Sequence, residues 1–228
     1  MKISFKTLLL LVVALPFVVF KLQHPTHAWR QRLTFVVATP HGEKVGSAVQ
    51  AVEWTPNPFF KDGAAFHLKL KGEAVAVEIA PGHVLFALLN GQGGEEHAGL
   101  LALYQFGGGR PGQGDFPWAK SDFAAVRAAH GGAATPLRPD LTPLLVTFRD
   151  INDPKTVEQV DPANLAASFG ADVQLVRMTI EITDDPVTSG IERKLAWINS
   201  IDSYRRDPTN PFTNTLPPEI GAIRRGKK

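Results

Sequence analysis

The chain has 228 residues, no cysteine and a formal net charge of +2. Apolar residues make up 44% and charged residues 20%, which permits a packed core and excludes general disorder. The near-neutral charge gives no electrostatic footprint for nucleic acid. The lack of cysteine excludes disulfides, thiolate zinc sites and a cysteine nucleophile, and nothing in the composition calls for a cofactor.

The N-terminus reads as an export or anchoring segment. Lys2 and Lys6 precede an uncharged run made of Leu8, Leu9, Leu10, Leu11, Val12, Val13, Phe17, Val18, Val19 and Phe20, interrupted by Pro16 and closed by Lys21. Basic residues followed by such a run have the form of a signal peptide. The run is apolar on every side, so a single buried helix face does not explain it. It is short for a span of roughly 20 residues, although Lys6 can snorkel if the run is counted from Ile3. Thr26-His27-Ala28 offers small residues for cleavage but lies far from the run. Residues 1–28 are therefore expected to be a signal peptide or a signal-anchor helix. The protein would sit in the inner membrane by a single N-terminal span with its domain in the periplasm, or be secreted to the periplasm after cleavage.

From Trp29 the pattern changes to strands. Leu33, Phe35 and Val37 alternate with Arg32 and Thr34, Pro40-His41-Gly42 turns the chain, and VGSAVQAVEW returns as a second strand. Phe66, Leu68 and Leu70 alternate with His67, Lys69 and Lys71. Lys71-Gly72 and Ala80-Pro81-Gly82 then read as turns on either side of EAVAVEI, and HVLFALL is an unbroken apolar strand of the kind found at a sheet centre. Leu100, Leu103 and Tyr104 allow a short helix over Glu95–Gln105, and a strand fits there as well. Ser121 reads as the N-cap of SDFAAVRAAH, which Gly131-Gly132 stops. PLLVTFRDI reads as a strand. Asp161-Pro162 opens a two-turn helix that Gly170 closes. In DVQLVRMTIEITD, Val176, Met178, Ile180 and Ile182 are expected to share a face. A last short helix, opened at Asp185 or Ser189, is expected to run through Ile198. The fold class is α+β and β-rich: an antiparallel meander sheet of about six to eight strands with a few short helices, preceded by the N-terminal apolar helix. Residues 29–203 form one domain, and residues 204–228 form a Pro-rich basic tail, loosely packed.

Motifs for chemistry are sparse. Gly107, Gly109 and Gly112 have the spacing of a dinucleotide loop, but Pro111 and Pro117 prevent a helix from opening there, and no Gly-Lys-Ser/Thr follows. Helix capping accounts for Ser189 without a nucleophilic role. His41, His67, His83 and His97 could hold a metal only if the fold gathered them, since none has ligand spacing; the other histidines read as surface or helix-end residues. Asp150, Asp153, Asp184 and Asp185 form a candidate polar cluster at strand ends, suited to a cation or to acid–base work and equally to turns and caps. The leading expectation is a non-catalytic binding module of the cell envelope, held at the membrane by its N-terminal segment, with an envelope protein as partner. The alternatives are a hydrolase or other enzyme using those carboxylates with a histidine, and a small apolar ligand binder closed around His83–Leu89.

Overall fold

The computed structural model describes residues 25–56, 66–91, 97–110, 120–200 and 223–225. The apolar run and residues 204–222 of the tail lie outside these. Among the described residues no helix is long and apolar enough to cross a membrane.

Alternation builds the first strands. β1 (His27–Thr39) and β2 (Gly42–Pro56) form one long antiparallel hairpin, registered from His27 opposite Trp54 to Thr39 opposite Gly42. Gly42 takes a φ of +100°, the left-handed conformation that the turn demands. β3 (Phe66–Glu73) pairs with the second half of β2. β4 (Val75–Ala80) and β5 (His83–Ala87) form a second hairpin. Then come α1 (His97–Gly107), α2 (Lys120–Ala128), β6 (Thr135–Pro136), β7 (Leu145–Phe148), β8 (Val157–Gln159), α3 (Ala166–Phe169), β9 (Gln174–Ile182) and β10 (Arg224–Arg225).

The fold is β-rich with two antiparallel sheets, not one meander. The order is β10-β3-β2-β1-β9-β6 in the first sheet and β4-β5-β7-β8 in the second. The division falls between β3 and β4. Gly72 adopts a φ of +143°, and a side chain there would press on Gln50, with a Cβ 3.0 Å from its Cγ. The chain bends at this point, Ala74 N–H bonds to the Ile223 carbonyl at 2.8 Å, and β4 leaves for the second layer. A glycine at a hairpin and a glycine at a crossover look alike in sequence.

The two layers share one core. Leu33, Phe35, Val37 and Ala48 of the first sheet meet Val75, Val77, Ile79 and Leu85 of the second. The remaining inner face of the first sheet packs on α1 and α2: Trp54 donates its indole N–H to the Gly99 carbonyl at 3.0 Å, and Phe66 lies 5.7 Å from Phe123. The second sheet is buried on its other face too, where Phe86, Val146 and Phe148 pack under Ile191, Leu195, Ile198 and Ile223. Burial on both faces is the reason HVLFALL carries no polar alternation. Ile223 is fully buried and Arg224–Arg225 pairs with β3, so this part of the tail is docked rather than loose.

Local differences have local causes. β9 carries a bulge: Arg177 lies opposite Val36 and Leu175 opposite Val37, leaving Val176 unpaired between them. The alternation therefore shifts, Leu175 packs on the core, and Val176 is 44% exposed instead of sharing the face of Met178. Replacing Val176 by threonine is expected to leave stability within about 0.5 kcal/mol in chemical denaturation, whereas Ile180→Ala should cost about 2–4 kcal/mol. α2 begins at Lys120, which places Ser121 inside its first turn. α3 is a single turn whose helical start follows Leu165, while Asp161 caps the preceding turn at Ala163 N–H. In place of a helix from Asp185 or Ser189, a 3-10 turn spans Ile191–Arg193.

The stretch from Thr183 to Gly190 is a strap over the outer face of the first sheet. Thr183 N–H bonds to the Arg30 carbonyl, Thr188 N–H bonds to the Val49 carbonyl, and the Thr188 hydroxyl accepts from Val49 N–H. At its end the buried Glu73 carboxylate accepts from Gly190 N–H at 3.1 Å and Ile191 N–H at 3.0 Å. Desolvation holds Glu73 above the ordinary carboxylate value, opposed by those two hydrogen bonds and by Arg224, while Glu192 pushes the same way as burial.

Candidate functional site

The start of β1 is where exposed polar side chains gather. Alternation sends His27 and Trp29 toward the inner face, and Ala28 and Arg30 outward. His27 stacks flat on Phe123 of α2, with ring centroids 3.9 Å apart. The C-terminal end of α2 brings Arg127 and His130, and the end of β9 brings Asp184. His130 Nε2 and an Asp184 carboxylate oxygen lie 3.0 Å apart. These residues line a cleft of about 370 Å³.

A second cleft of about 360 Å³ opens on the outer face of the first sheet, lined by Ala28, Arg30, Glu53, Lys69, Lys71 and Asp184. The strand register creates it, because Glu53 lies opposite both Ala28 and Lys69, and Ala51 opposite both Arg30 and Lys71. The two clefts share Ala28, Trp29, Arg30 and Asp184, so they adjoin on either side of the start of β1, and together they make up the groove. The strap holds its rim: Arg30 Nη1 donates to the Asp184 carbonyl at 2.5 Å and the Asp185 carbonyl at 3.1 Å. The groove carries four permanent cations, Arg30, Lys69, Lys71 and Arg127, against two carboxylates, Glu53 and Asp184. Its net +2 equals that of the whole chain. All four cations are exposed.

The His130–Asp184 pair is open to water, with the side chains 48% and 86% exposed, so its attraction is screened and orients the imidazole more than it stabilises the fold. His27 differs. Burial first, and then the Arg127 guanidinium, hold it below the ordinary histidine value of 6.5. The stabilisation of a group so depressed is complete above its ordinary value and is lost as pH falls through the folded one. Against His27→Phe, which keeps the ring stack without a titrating nitrogen, the wild-type chain should lose stability progressively below pH 6.5 in thermal unfolding series.

The four candidate aspartates do not form one cluster. Asp150 and Asp153 belong to the turn after β7, where Asp150 accepts from Asn152 N–H at 2.9 Å and Asp153 accepts from Lys155 N–H at 2.9 Å. Asp185 accepts from the Thr183 hydroxyl and pairs with Arg32. Only Asp184 lines the groove. The four candidate histidines are dispersed as well. His41 is at the β1–β2 turn and His67 lies opposite Thr55, about 40 Å away at strand rise. His83 opens β5 on the second sheet. His97 is buried and bonds through Nε2 to the Leu141 carbonyl at 2.7 Å. No group of three or more metal-ligating residues gathers among the described residues. The sequence reading missed His27, Arg30, Arg127 and His130. The one available signal was period-two continuation of β1 back through Trp29 to His27. The His130–Asp184 contact bridges 54 positions and leaves no local trace. Comparison with protein-family models, with curated proteins and with solved structures finds no match.

Proposed function

We propose that the protein is a non-catalytic binding module of the cell envelope, tethered to or released beyond the inner membrane by its N-terminal apolar segment, and that the groove at the start of β1 receives an anionic group of its partner. The observation that carries this reading is the concentration of Arg30, Lys69, Lys71 and Arg127 in one open groove on an otherwise balanced surface. Arg30, Lys69 and Lys71 stand on paired strands, so their backbones need no ordering when a ligand arrives. Titration of the full chain in neutral detergent with oligo-glutamate tests it. Binding should weaken as salt is added, and Lys69→Glu with Lys71→Glu should reduce affinity by at least about tenfold. Affinity that ignores both salt and the double variant contradicts the reading.

One observation favours a second reading. A carboxylate-oriented imidazole beside a cleft is the arrangement of a general base, and Asp184 with His130 has it. On this reading the protein is a hydrolase, and Asp184→Asn abolishes turnover while anion binding is kept or strengthened, since the groove loses one of its two carboxylates. The apolar-ligand alternative gains no support from the packing: Val84–Leu89 is at most 3% exposed, inside both halves of the core.

A further inference from the structure

We infer that the groove at the start of β1 docks onto the anionic lipid surface of the membrane that holds the N-terminal segment. This rests on the tethered form of the proposed function and names the partner of the same site. Two independent observations carry it.

The first is reach. Pro25 and Thr26 line the groove. Only Lys21, Leu22, Gln23 and His24 lie between Phe20, the end of the apolar run, and Pro25. Even fully extended, that link spans at most about 18 Å. With the run in a bilayer, Pro25 at the groove mouth therefore stays within about 18 Å of the end of the apolar run whatever path the link takes.

The second is charge placement. Arg30, Lys69 and Lys71 are exposed on the outer face at the end of the first sheet nearest that link, and Arg127 on α2 lines the adjoining cleft on the inner side. The opposite end of the same face, at the β1–β2 turn, presents exposed Val45 and a Glu43–Arg177 pair instead. The face is thus polarised, with net positive charge toward the attachment point. Phosphate headgroups are the anions guaranteed to be there, at high local density and without any need to diffuse. Basic residues close to an anionic surface each strengthen association by about fivefold. Docking would lay β3 and the start of β1 on the lipid and turn the β1–β2 hairpin tip away from it.

The absence of cysteine in the chain makes the test direct. Thr55→Cys and Val45→Cys place single fluorophores on the same face of β2, about 33 Å apart, neither one in the groove. Each full-length variant is reconstituted into vesicles of phosphatidylcholine alone and of an equal mixture with phosphatidylglycerol, and energy transfer to a headgroup acceptor is measured. Flotation and carbonate extraction report membrane attachment in the same samples. The expected result is transfer from position 55 several-fold stronger than from position 45 in mixed vesicles, with the difference shrinking in phosphatidylcholine alone and on adding Lys69→Glu and Lys71→Glu. Carbonate-resistant flotation in both vesicles with equal transfer from the two positions overturns the docking while the tether stands. Flotation only with mixed vesicles, lost in salt and in the lysine variant, overturns the tether and with it the tethered docking, leaving a peripheral lipid contact of the groove. Flotation with neither overturns both.

Discussion

Alanine at Gly46 is expected to destabilise the fold by about 3 kcal/mol, the range of overpacking in a closed core, and to lower the melting temperature by roughly 6–12 °C. In a strand, alanine for glycine reduces the entropy of the unfolded chain and gains about 0.5–1 kcal/mol. Gly46 is in ordinary strand backbone, so no conformational strain opposes that gain. The obstacle is the second sheet. A Cβ at Gly46 would lie 2.3 Å from the Ala76 carbonyl oxygen and 2.8 Å from Val77 Cγ2. A backbone carbonyl in a paired strand cannot swing aside, so the sheets must separate, and Phe35, Val37 and Val77 lose contact with one another. Gly82→Ala is the control: a Cβ there meets nothing within 4 Å, and only its φ of +78° is unfavourable. Thermal unfolding of the two variants should therefore differ severalfold in cost. Equal costs would show that the layers are not in close contact at Gly46.

Glu73→Ala is the second large effect, expected at about 2–3 kcal/mol. It removes the only acceptors shown for Gly190 N–H and Ile191 N–H, both in buried residues, and each buried donor left without a partner costs about 1–3 kcal/mol. Part of that loss is offset because an ionised carboxylate no longer has to be buried. The same desolvation sets the pH dependence. Glu73 titrates above its ordinary value of 4.5 in the folded chain. Between those two values the folded state holds more protons than the unfolded one, so the stability contributed by protonated Glu73 is complete below pH 4.5 and declines as pH rises through the folded value. Glu73→Gln does not titrate. Denaturation midpoints measured on the acid side should fall with rising pH more steeply in the wild-type chain than in Glu73→Gln. Parallel curves would mean that burial does not raise the Glu73 carboxyl above its ordinary value.

The strap forms one wall of the groove. Glu73 pins its far end, Thr188 ties it to β2, and its near end supplies Asp184 and the carbonyls that hold Arg30. Freeing the strap by Glu73→Ala is therefore expected to weaken anion binding as well as stability, even though Glu73 does not line the groove.

What the sequence disclosed follows from the range over which each signal acts. Alternation in Leu33-Thr34-Phe35, in Leu68-Lys69-Leu70 and along Met178–Ile182 is set by neighbours two residues apart, and those strands form as read. α2 is likewise set by its own Phe123 and Val126 spacing and by the left-handed Gly131 that ends it. The division into two sheets depends on where β4 finds a partner. Gly72 permits a hairpin or a crossover equally, and the choice is made by Ala74 bonding to Ile223, 149 positions later. The bulge at Val176 is equally non-local, being a mismatch with β1. The groove is the extreme case: its cations come from β1, β3 and α2, and Asp184 comes from the end of β9. The exposure of Lys69 and Lys71 could be read from alternation, but their place beside Arg30 depends on the β2 register between them.

The most direct test of the proposed anion binding is the set of histidine ring signals of the full chain in neutral detergent while oligo-glutamate is added. His27 and His130 line the groove, whereas His41 and His83 lie at a distant turn and on the other sheet. The account predicts that the His27 and His130 resonances move together and saturate while those of His41 and His83 stay in place. Equal movement of all four, or movement of His41 and His83 alone, would contradict it.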